Sequence, residues 1–510
     1  MTAIARQAAR PWVLAAAGAI AYLLLDPPSA DLAAQEYRAG LGLQIWNNGW
    51  YAGHHLPAYS VLFPPLGELL GARLVGAVAA VLAAALFSLL ADRHFDEPGA
   101  RAAALWFAAV VTATLLTGRL TFVLGLALAL AALLALRSER HATAAALAAL
   151  TALASPVAAL FAALAVAAYG LARPADRCTH AAAFALAALA PLLALTLLFA
   201  EGGSEPFVAS AFWPALAGTA LVAAVLPANE IALRIGAGLY GVLCVIAFAL
   251  ANPLGGNATR LGALVAGPIV VGALAGRRSL ALLAALALPL AYWGLYPAVR
   301  DVVRAGGDPS TQAAYHAPLI RFLKSREETF RVEIPFTENH WEARHVAPRI
   351  PLARGWERQL DRRHGALFYD GTLNARRYRA WLDEHAVAYV AIPDVALDYA
   401  GRGEARLVER GLPYLHQVWH DAHWRVLAVR RPRPLASGAA RAVGLTTDGF
   451  DLEARRPGAT FVRVRHTRWW RVASGRACVE RGAEGMTSVH VWHPGVIRIR
   501  ARLRGPTCRR

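Results

Sequence analysis

Lysine is nearly absent from this chain of 510 residues, and charged residues of every kind are scarce. Lys324 is the single lysine. Asp, Glu, Lys and Arg together make up 17% of the residues, against 57% hydrophobic residues. A soluble globular domain normally carries about 25% charged residues. The shortage excludes a single soluble enzyme and a disordered chain, and it indicates a polytopic membrane protein.

Cysteine is also rare, with four residues in the whole chain, which excludes a secreted disulfide scaffold. The sequence contains no CxxC or HExxH motif, so it predicts neither a metal site nor a cofactor. Cys178 and Cys244 fall at or within apolar segments, where cysteine behaves as a small apolar residue. Cys478 and Cys508 are the pair in the C-terminal region. We predict a disulfide between them that tethers the last strand.

The charges that are present are distributed unevenly. Residues 1–299 carry 15 basic and 12 acidic side chains, a net charge of +3. Residues 300–510 carry 37 basic and 22 acidic side chains, a net charge of +15. Two regions of different physical chemistry therefore share one chain. We predict a membrane core over 1–299, followed by domains with the composition of water-soluble proteins.

Long hydrophobic runs dominate the first 299 residues. A helix needs about 20 mostly apolar residues to cross roughly 30 Å of hydrocarbon. Arginines and turn residues divide this region into eleven candidate spans, which predicts a polytopic α-helical fold. The candidate spans are 12–26, 74–91, 102–117, 120–136, 142–154, 157–172, 181–200, 211–226, 231–251, 261–276 and 279–297.

The orientation of the chain depends on residues 142–172. As one helix this tract would be about 46 Å long, which is too long for one comfortable span. Basic loops prefer the cytoplasm, and arginines flank both ends of the tract: Arg137, Arg140, Arg173 and Arg177. We therefore predict two spans that turn at Ser155-Pro156, where proline ends the first helix. If the tract were a single span, the C-terminal region would be cytoplasmic.

The same reasoning places an outer turn at Gly118-Arg119. With a cytoplasmic N-terminus, eleven arginines of 1–299 are cytoplasmic and four are outside. An odd number of spans then delivers the C-terminal region to the outer face of the plasma (inner) membrane. Its positive charge suits an anionic membrane surface or cell-wall polymer rather than nucleic acid, which is not found on that side.

The C-terminal region divides into two predicted extracytoplasmic domains. Residues 300–434 mix helical stretches with strand-like runs at 330–336, 387–393 and 424–430, which is an α/β pattern. After a proline-broken linker, residues 435–510 alternate apolar and polar side chains between turn residues, which predicts a small antiparallel β-sandwich.

The first outer loop, residues 27–66, is about forty residues long and rich in aromatic, acidic and amide side chains. Apolar residues near helical spacing (Leu32, Tyr37, Leu41 and Leu43) predict an amphipathic helix along the membrane surface. One interpretation is an interfacial helix with a Trp and Tyr belt, which leaves the carboxylates and paired amides unexplained. The other is an active site, because Asp31 is a carboxylate at the membrane border that could accept a proton from a hydroxyl.

In its architecture the whole chain resembles the GT-C class of polyprenyl-phosphate-sugar glycosyltransferases. A long first outer loop with an acidic residue near its start, Asp31, follows one span, and many spans and an outer C-terminal domain come after it. The chain also resembles the YfhO-like bacterial membrane proteins. The resemblance implies a GT-C-like core that moves a sugar, with inversion, from a polyprenyl-phosphate donor to an extracytoplasmic glycan or lipid acceptor.

The resemblance also implies roles for single residues. Asp31 matches the catalytic base, and Arg119 is the candidate cation for the departing lipid phosphate. Arg119 could equally be an arginine that extends to lipid headgroups. Glu36 would lie about 140° around the helix from Asp31. Its expected role is that of a supporting residue or an alternative base. The further candidate substrate contacts are Asn47, Asn48, Trp50, His54 and His55. The loop lacks an adjacent Asp-Glu pair, so the predicted reaction needs no metal.

Two other functions remain open from the sequence. In a transporter or flippase for lipid-linked substrates, Asp31, Glu36 and Arg119 would guide the substrate. Few charges lie within the apolar segments and no inverted repeat of interrupted helices is evident, which argues against transport. In a noncatalytic cell-envelope assembly protein, the membrane core would only anchor the C-terminal domains. Membrane lipids are expected partners under all three hypotheses.

Overall fold

The structure is a computed structural model that describes residues 10–172, 178–275 and 280–505. It divides into two compact units. The membrane unit contains residues 1–42 and 58–306, and the second unit contains 43–57 and 307–510. Five arginines used to predict the orientation, and one predicted disulfide partner, lie outside the described residues: Arg6, Arg173, Arg177, Arg277, Arg278 and Cys508.

In the membrane unit, each of the eleven predicted apolar segments forms a helix. Two further short helices lie between the first and second of them. The helices are α1 Pro11–Leu25, α2 Ala30–Ala39, α3 Phe63–Leu70, α4 Ala72–Asp92, α5 Glu97–Leu116, α6 Leu120–Arg137, α7 His141–Ala154, α8 Pro156–Leu171, α9 Cys178–Leu198, α10 Ala209–Val225, α11 Ile231–Ala249, α12 Thr259–Ala275 and α13 Leu280–Ala305.

Seven of these helices are long and apolar enough to cross a membrane, or eight if α1 and α2 count as one span broken by a bend of 82°. Three apolar helices, α7, α8 and α10, have 14, 16 and 17 residues and are shorter than a full span. The chain is therefore a multi-pass α-helical membrane protein. The predicted count of eleven spans is not established by helix length.

The tract 142–172 folds as two helices rather than one. Helix α7 ends before Ser155, whose side chain caps α8 by accepting a hydrogen bond from the backbone N–H of Ala158 at 3.4 Å. Ala148 of α7 and Val166 of α8 belong to the same buried cluster. In one continuous helix these two residues would be about 27 Å apart. The chain therefore turns back at Ser155-Pro156, the position predicted from the proline.

The second unit begins with an α/β region around a four-stranded sheet in the order β3-β4-β6-β5. Strands β3 and β4 are parallel, and the other pairs are antiparallel. The strands are β3 Arg331–Glu333, β4 Val387–Pro393, β5 Leu415–His420 and β6 Trp424–Val429. The helices are α14 Ala313–Lys324, α15 Glu342–His345, α16 Arg358–His364, α17 Ala375–Glu384 and α18 Tyr399–Glu409.

The end of the second unit is a β-sandwich. One sheet has the order β12-β13-β10-β7 and the other β11-β14-β9-β8, with antiparallel pairs throughout. Apolar side chains of both sheets form one buried cluster. The strands are β7 Ala436–Gly438, β8 Ala440–Thr446, β9 Gly449–Ala454, β10 Gly458–Arg465, β11 Trp470–Ser474, β12 Ala477–Arg481, β13 Met486–Val491 and β14 Gly495–Ala501. The predicted fold class, an α-helical membrane region followed by α/β and β-sheet regions, is confirmed.

The first loop is shared between the two units, a division that the sequence did not suggest. Its helix α2 belongs to the membrane unit, whereas residues 43–57 belong to the second unit. Those residues form a hairpin of two short antiparallel strands, β1 Trp46–Asn47 and β2 His54–His55. Trp46 is 2% exposed and belongs to the buried cluster of the sandwich. This packing explains why the hairpin folds with the C-terminal region, although it is about 250 residues distant in sequence.

Candidate active site

Asp31 and Arg119 form the centre of a charged site in the membrane unit. Asp31 lies in the first turn of α2, and Arg119 lies in the turn between α5 and α6. The Arg119 Nε atom donates a hydrogen bond to Asp31 Oδ2 at 3.1 Å across 88 positions of sequence. Their side chains are 24% and 31% exposed, so both remain accessible to a ligand.

Gly118 allows the turn before Arg119 to approach α2. Its φ is +73°, in the left-handed region that favours glycine. A Cβ atom at this position would lie 2.7 Å from the Cα atom of Leu32 and 2.6 Å from the Oγ atom of Ser29. Only a glycine lets the α5–α6 turn pack against the first turn of α2. That approach places Arg119 beside Asp31.

A second arginine, Arg260, lies near this pair. It stands in the first turn of α12, and its Cζ atom lies 5.7 Å from the centre of the Phe122 ring. Arg119, Arg260 and Phe122 line one cavity of about 30 Å³. Such a volume accommodates about two water molecules, since one needs roughly 10–15 Å³. Two arginines therefore line a small, mostly apolar cavity at the end of an apolar helix bundle, and a guanidinium group in such a place can pair with an anionic oxygen.

Asp301 adds a second carboxylate to the surroundings of the pair. It lies near the end of α13 and accepts a hydrogen bond from Arg300 at 2.8 Å. It is close enough to Arg119 and Asp31 to interact with both electrostatically. Among the described residues, no group of three or more His, Cys, Asp or Glu could hold a metal ion.

Glu36 is bound to a different arginine from Asp31. The Arg73 Nε atom, in the first turn of α4, lies 3.1 Å from Glu36 Oε1 and 2.8 Å from Asp26 Oδ1. Arg73 also donates to the backbone oxygen of Pro27 at 3.0 Å. Glu36 thus forms an ion pair that attaches α2 to the start of α4.

Other polar side chains of α2 also hold the helix in place. Gln35 donates to the Tyr59 hydroxyl at 2.7 Å and accepts a hydrogen bond from Thr121. The Cζ atom of Arg38 lies 3.8 Å from the centre of the Tyr59 ring, a favourable cation–π contact. Asp31 therefore stands on a short helix with polar contacts on several sides, which fixes the position of its carboxylate.

The paired amides of the first loop are buried in the second unit. Asn47 and Asn48 are each 0% exposed. Asn48 donates to the backbone oxygens of Thr446 at 3.0 Å and Gly449 at 2.8 Å, and its Oδ1 atom accepts from the Trp46 indole at 2.7 Å. These contacts attach the hairpin to strands β8 and β9. The predicted contact of these amides with substrate stays a prediction, which would require them to become exposed.

The aromatic candidates of the hairpin are buried as well. Trp50 is 0% exposed and His54 is 1% exposed, and their rings stack with centroids 5.8 Å apart. His54 Nε2 lies 3.0 Å from Asn47 Nδ2. His55, which is partly exposed, has its Nε2 atom 2.8 Å from Thr467 Oγ1. In the structure these rings contact other residues of the second unit, and their binding of substrate stays a prediction.

Tyr51 shows how firmly the hairpin is held. Its hydroxyl donates a hydrogen bond to the backbone oxygen of Gly355, and it accepts one from the backbone N–H of Glu357 at 3.0 Å. Burial raises the pKa of this phenol well above its ordinary value. On the sandwich side, Arg465 donates to the backbone oxygen of Tyr51 at 2.8 Å. The hairpin thus connects the α/β region to the β-sandwich.

The structure describes only one of the two cysteines of the predicted disulfide. Cys478 lies in β12 and is disulfide-bonded. Cys508 lies outside the described residues, so the pairing of these two cysteines stays a prediction. Cys244 is a free, buried cysteine in α11, in agreement with the expected apolar role.

Arg260, Asp301 and Gly118 are site residues that sequence reasoning missed. In the sequence, Arg260 is an arginine at the edge of an apolar segment, and Gly118 is part of a predicted turn. A signal for Arg260 was present, since an arginine at the start of an apolar helix is uncommon without a partner. Nothing in the sequence indicated which helix ends meet, and that information was needed to group them with Asp31.

Several solved structures resemble this chain, among them ArnT and AglB. ArnT from Cupriavidus metallidurans, in the apo state, aligns over 79% of this chain and 93% of its own, with 14% identity and a TM-score of 0.39. The archaeal oligosaccharyltransferase AglB from Archaeoglobus fulgidus, in complex with an inhibitory peptide and a dolichol-phosphate, aligns over 75% and 69%, with 13% identity and a TM-score of 0.36. No family model and no curated protein sequence matches the chain. Both TM-scores lie below 0.5.

Proposed function

We propose that this protein is a membrane glycosyltransferase of the GT-C type, which moves a sugar from a polyprenyl-phosphate donor to an extracytoplasmic acceptor with inversion. The observation that carries the proposal is the Asp31–Arg119 pair beside Arg260, at one end of an apolar helix bundle. A carboxylate can take the proton of an acceptor hydroxyl, and two guanidinium groups can hold a phosphate next to it.

In the proposed reaction the donor phosphate competes with Asp31 for Arg119. While Arg119 holds the carboxylate, the charge of Asp31 is compensated and proton acceptance is disfavoured. A phosphate that binds Arg119 and Arg260 draws the guanidinium away and leaves the carboxylate ready to act as a base. Donor binding and activation of the base are then coupled, so that the carboxylate is released from Arg119 only when the donor is bound.

The chemical step follows from these positions. The acceptor oxygen attacks the anomeric carbon, and its proton passes to an oxygen of Asp31. The bond from the anomeric carbon to the phosphate oxygen breaks on the opposite face, so the configuration inverts. The polyprenyl phosphate leaves with the electron pair, and Arg119 and Arg260 stabilise its additional negative charge.

The proposal includes an orientation. The end of the bundle that carries Asp31 and Arg119 faces outside the plasma membrane, the N-terminus is cytoplasmic, and the second unit is extracytoplasmic. The arginine distribution of the sequence supports this arrangement. A glycan or lipid of the cell envelope is then the acceptor class within reach of the site.

The experiment that tests the proposal is Asp31→Asn, assayed in membranes with radiolabelled polyprenyl-phosphate sugars. We expect transfer to fall by about 10²–10⁴-fold, the usual value of general-base catalysis. Insertion and thermal stability should not change, because asparagine can still accept the hydrogen bond from Arg119. The matched control is Asp26→Asn, which removes a carboxylate paired with Arg73 on the same segment and should retain transfer.

Two results would contradict the proposal. Unchanged transfer in Asp31→Asn would remove this residue from the role of base. Substrate uptake or lipid scrambling by the purified wild type, without any sugar transfer, would favour a transporter instead.

A further inference from the structure

A large apolar cavity lies elsewhere in the membrane unit. Its volume is about 340 Å³, within the roughly 300–1,000 Å³ of small-molecule sites. Helices α4, α6, α8, α10, α11, α12 and α13 contribute to its wall, and almost all of the lining is hydrocarbon. Leu133, Leu164 and Trp293 are typical of that lining. The space is suited to a hydrocarbon chain rather than to a sugar or a nucleotide.

Charged side chains stand at one end of this cavity. Arg137 and His94 are part of its lining. The Arg137 Nη2 atom donates to the backbone oxygen of Arg93 at 3.0 Å, and the Arg93 Nη1 atom donates to Ser138 Oγ at 2.8 Å. The side chain of Arg93 therefore contacts the residue that follows Arg137, so both arginines lie near this end of α6. His94 Nε2 lies 3.0 Å from Glu230 Oε2, which is the neighbouring acidic group.

The polar end of this cavity is remote from the candidate active site. Arg119 immediately precedes the first residue of α6, and Arg137 is its last residue. A helix of 18 residues is about 27 Å long, which nearly equals the hydrocarbon thickness of roughly 30 Å. The two arginines thus lie at opposite faces of the membrane. A lipid phosphate at Arg137 cannot be the one that reacts beside Asp31.

We propose that this cavity binds one acyl chain of an anionic phospholipid from the leaflet opposite the active site. The chain occupies the apolar space, and the headgroup phosphate contacts Arg137 and Arg93. Basic side chains next to a hydrocarbon cavity match the two parts of such a lipid, and anionic lipids are attracted to basic groups at the membrane surface. The bound chain fills a space between seven helices and stabilises their packing. This inference is independent of the proposed glycosyl transfer.

Gly236 offers a direct way to fill the cavity. It lines the cavity from α11, and a Cβ atom there would meet only the Ala168 Cβ atom at 3.5 Å, an ordinary contact. A leucine at this position projects into the space that the acyl chain would occupy. Gly238 is the matched control, because it lies two residues further on the same helix, outside the lining, with nothing within 4 Å of its Cβ position.

The first test is native mass spectrometry of the full chain purified in mild detergent, with the bound lipids counted and identified. Wild type and Gly238→Leu should carry one phosphatidylglycerol or similar anionic phospholipid, and Gly236→Leu should lose most of it. Equal occupancy in the two variants would overturn the proposal. So would the finding that the bound lipid is a polyprenyl phosphate, which would make the cavity a donor site.

The second test separates the headgroup from the chain. Arg137→Gln should lower the preference for phosphatidylglycerol over phosphatidylcholine by about fivefold, the effect of one basic residue at a membrane surface. Arg101→Gln, which removes an exposed arginine of α5 outside the cavity lining, is the control and should retain the preference. An unchanged preference in Arg137→Gln would overturn the assignment of the headgroup. The elution volume and melting temperature of each variant show whether it has folded.

Discussion

Helix α2 and the hairpin of β1 and β2 come from the same first loop, and they differ in the exposure of their polar side chains. The helix keeps Asp31 partly exposed and pairs it with Arg119. The hairpin buries Trp46, Asn47 and Asn48 almost completely. Both segments are rich in polar residues, so polarity alone does not separate them. The two segments are distinguished by the exposure of their side chains and by the residues that these side chains contact.

The comparison shows that polar residues in a long loop have two explanations. Asn48 is polar because the strand ends it meets need hydrogen-bond partners inside the protein. Asp31 has a charged partner, yet its carboxylate still reaches a ligand-accessible space. The hairpin is consequently expected to affect stability when it is changed, whereas α2 is expected to affect catalysis.

The largest effect on stability should come from Trp46→Ala. Trp46 is buried in the sandwich cluster and packs edge to face on Trp470 at 5.3 Å. We expect a loss of about 3–5 kcal/mol in the free energy of unfolding of the second unit, as for other buried tryptophans. Urea-dependent proteolysis of the purified full chain measures it. Trp492→Ala, at a tryptophan 36% exposed, should cost far less. A stable Trp46→Ala with altered substrate affinity would instead assign the hairpin to the active site.

Gly118→Ala should damage the site while sparing the hairpin. Its side chain would collide with the start of α2 and move Arg119 from Asp31. We expect transfer to fall by roughly 10–100-fold, since small displacements of reacting groups have such effects. Gly71→Ala is the matched control, because Gly71 also has a positive φ, +88°, but nothing lies within 4 Å of its Cβ position. Equal activity in the two variants would show that the close approach is unimportant.

Asn48→Ala should weaken the second unit without touching the charged site. The change removes hydrogen bonds to Thr446 and Gly449 and leaves the Trp46 indole N–H unpaired in the interior. The expected loss is about 1–3 kcal/mol in the free energy of unfolding of this unit. The same proteolysis assay applies, with Gln417→Ala at an exposed amide as the control. Michaelis constants that rise while stability is unchanged would argue for substrate contact at Asn48.

A change in the pH dependence of stability is expected at His385, next to Arg465, which contacts the hairpin. Burial, with the nearby Arg465 charge, lowers the pKa of His385 to about 3 in the folded state. Its Nδ1 atom lies 2.9 Å from the Trp381 backbone oxygen, and Arg465 Nη2 lies 3.4 Å from its Nε2 atom. Between pH 6 and 4 the unfolded chain therefore binds a proton that the folded chain does not.

The shifted pKa of His385 therefore contributes to the free energy of unfolding. This contribution is fully present above about pH 6.5, and it falls by about 1.4 kcal/mol for each pH unit below that value. His385→Asn should remove that slope relative to the wild type, and other titrating groups cancel in the difference. Unfolding curves at pH 6, 5 and 4 measure it. Parallel pH profiles of the two proteins would show that His385 is protonated in the folded state.

The sequence by itself predicted the membrane region, the breaks between its helices and the two kinds of C-terminal fold. Hydrophobic runs, proline and flanking arginines act locally, so Ser155-Pro156 and the strands around 387–393 and 424–430 could be predicted without knowing their neighbours. Asp31 and Arg119 were also singled out from sequence, because a charge at the border of an apolar segment is costly wherever it occurs.

Tertiary structure alone decided which of these residues meet. Hydropathy does not show that Gly118 packs against α2, that Arg260 joins Arg119, or that Trp46 completes a core made by residues beyond 430. Such contacts depend on packing between segments up to several hundred positions apart. A buried amide and an exposed one also look identical in sequence. For this reason the sequence found the loop, and only the folded protein divided it into a candidate site and a structural hairpin.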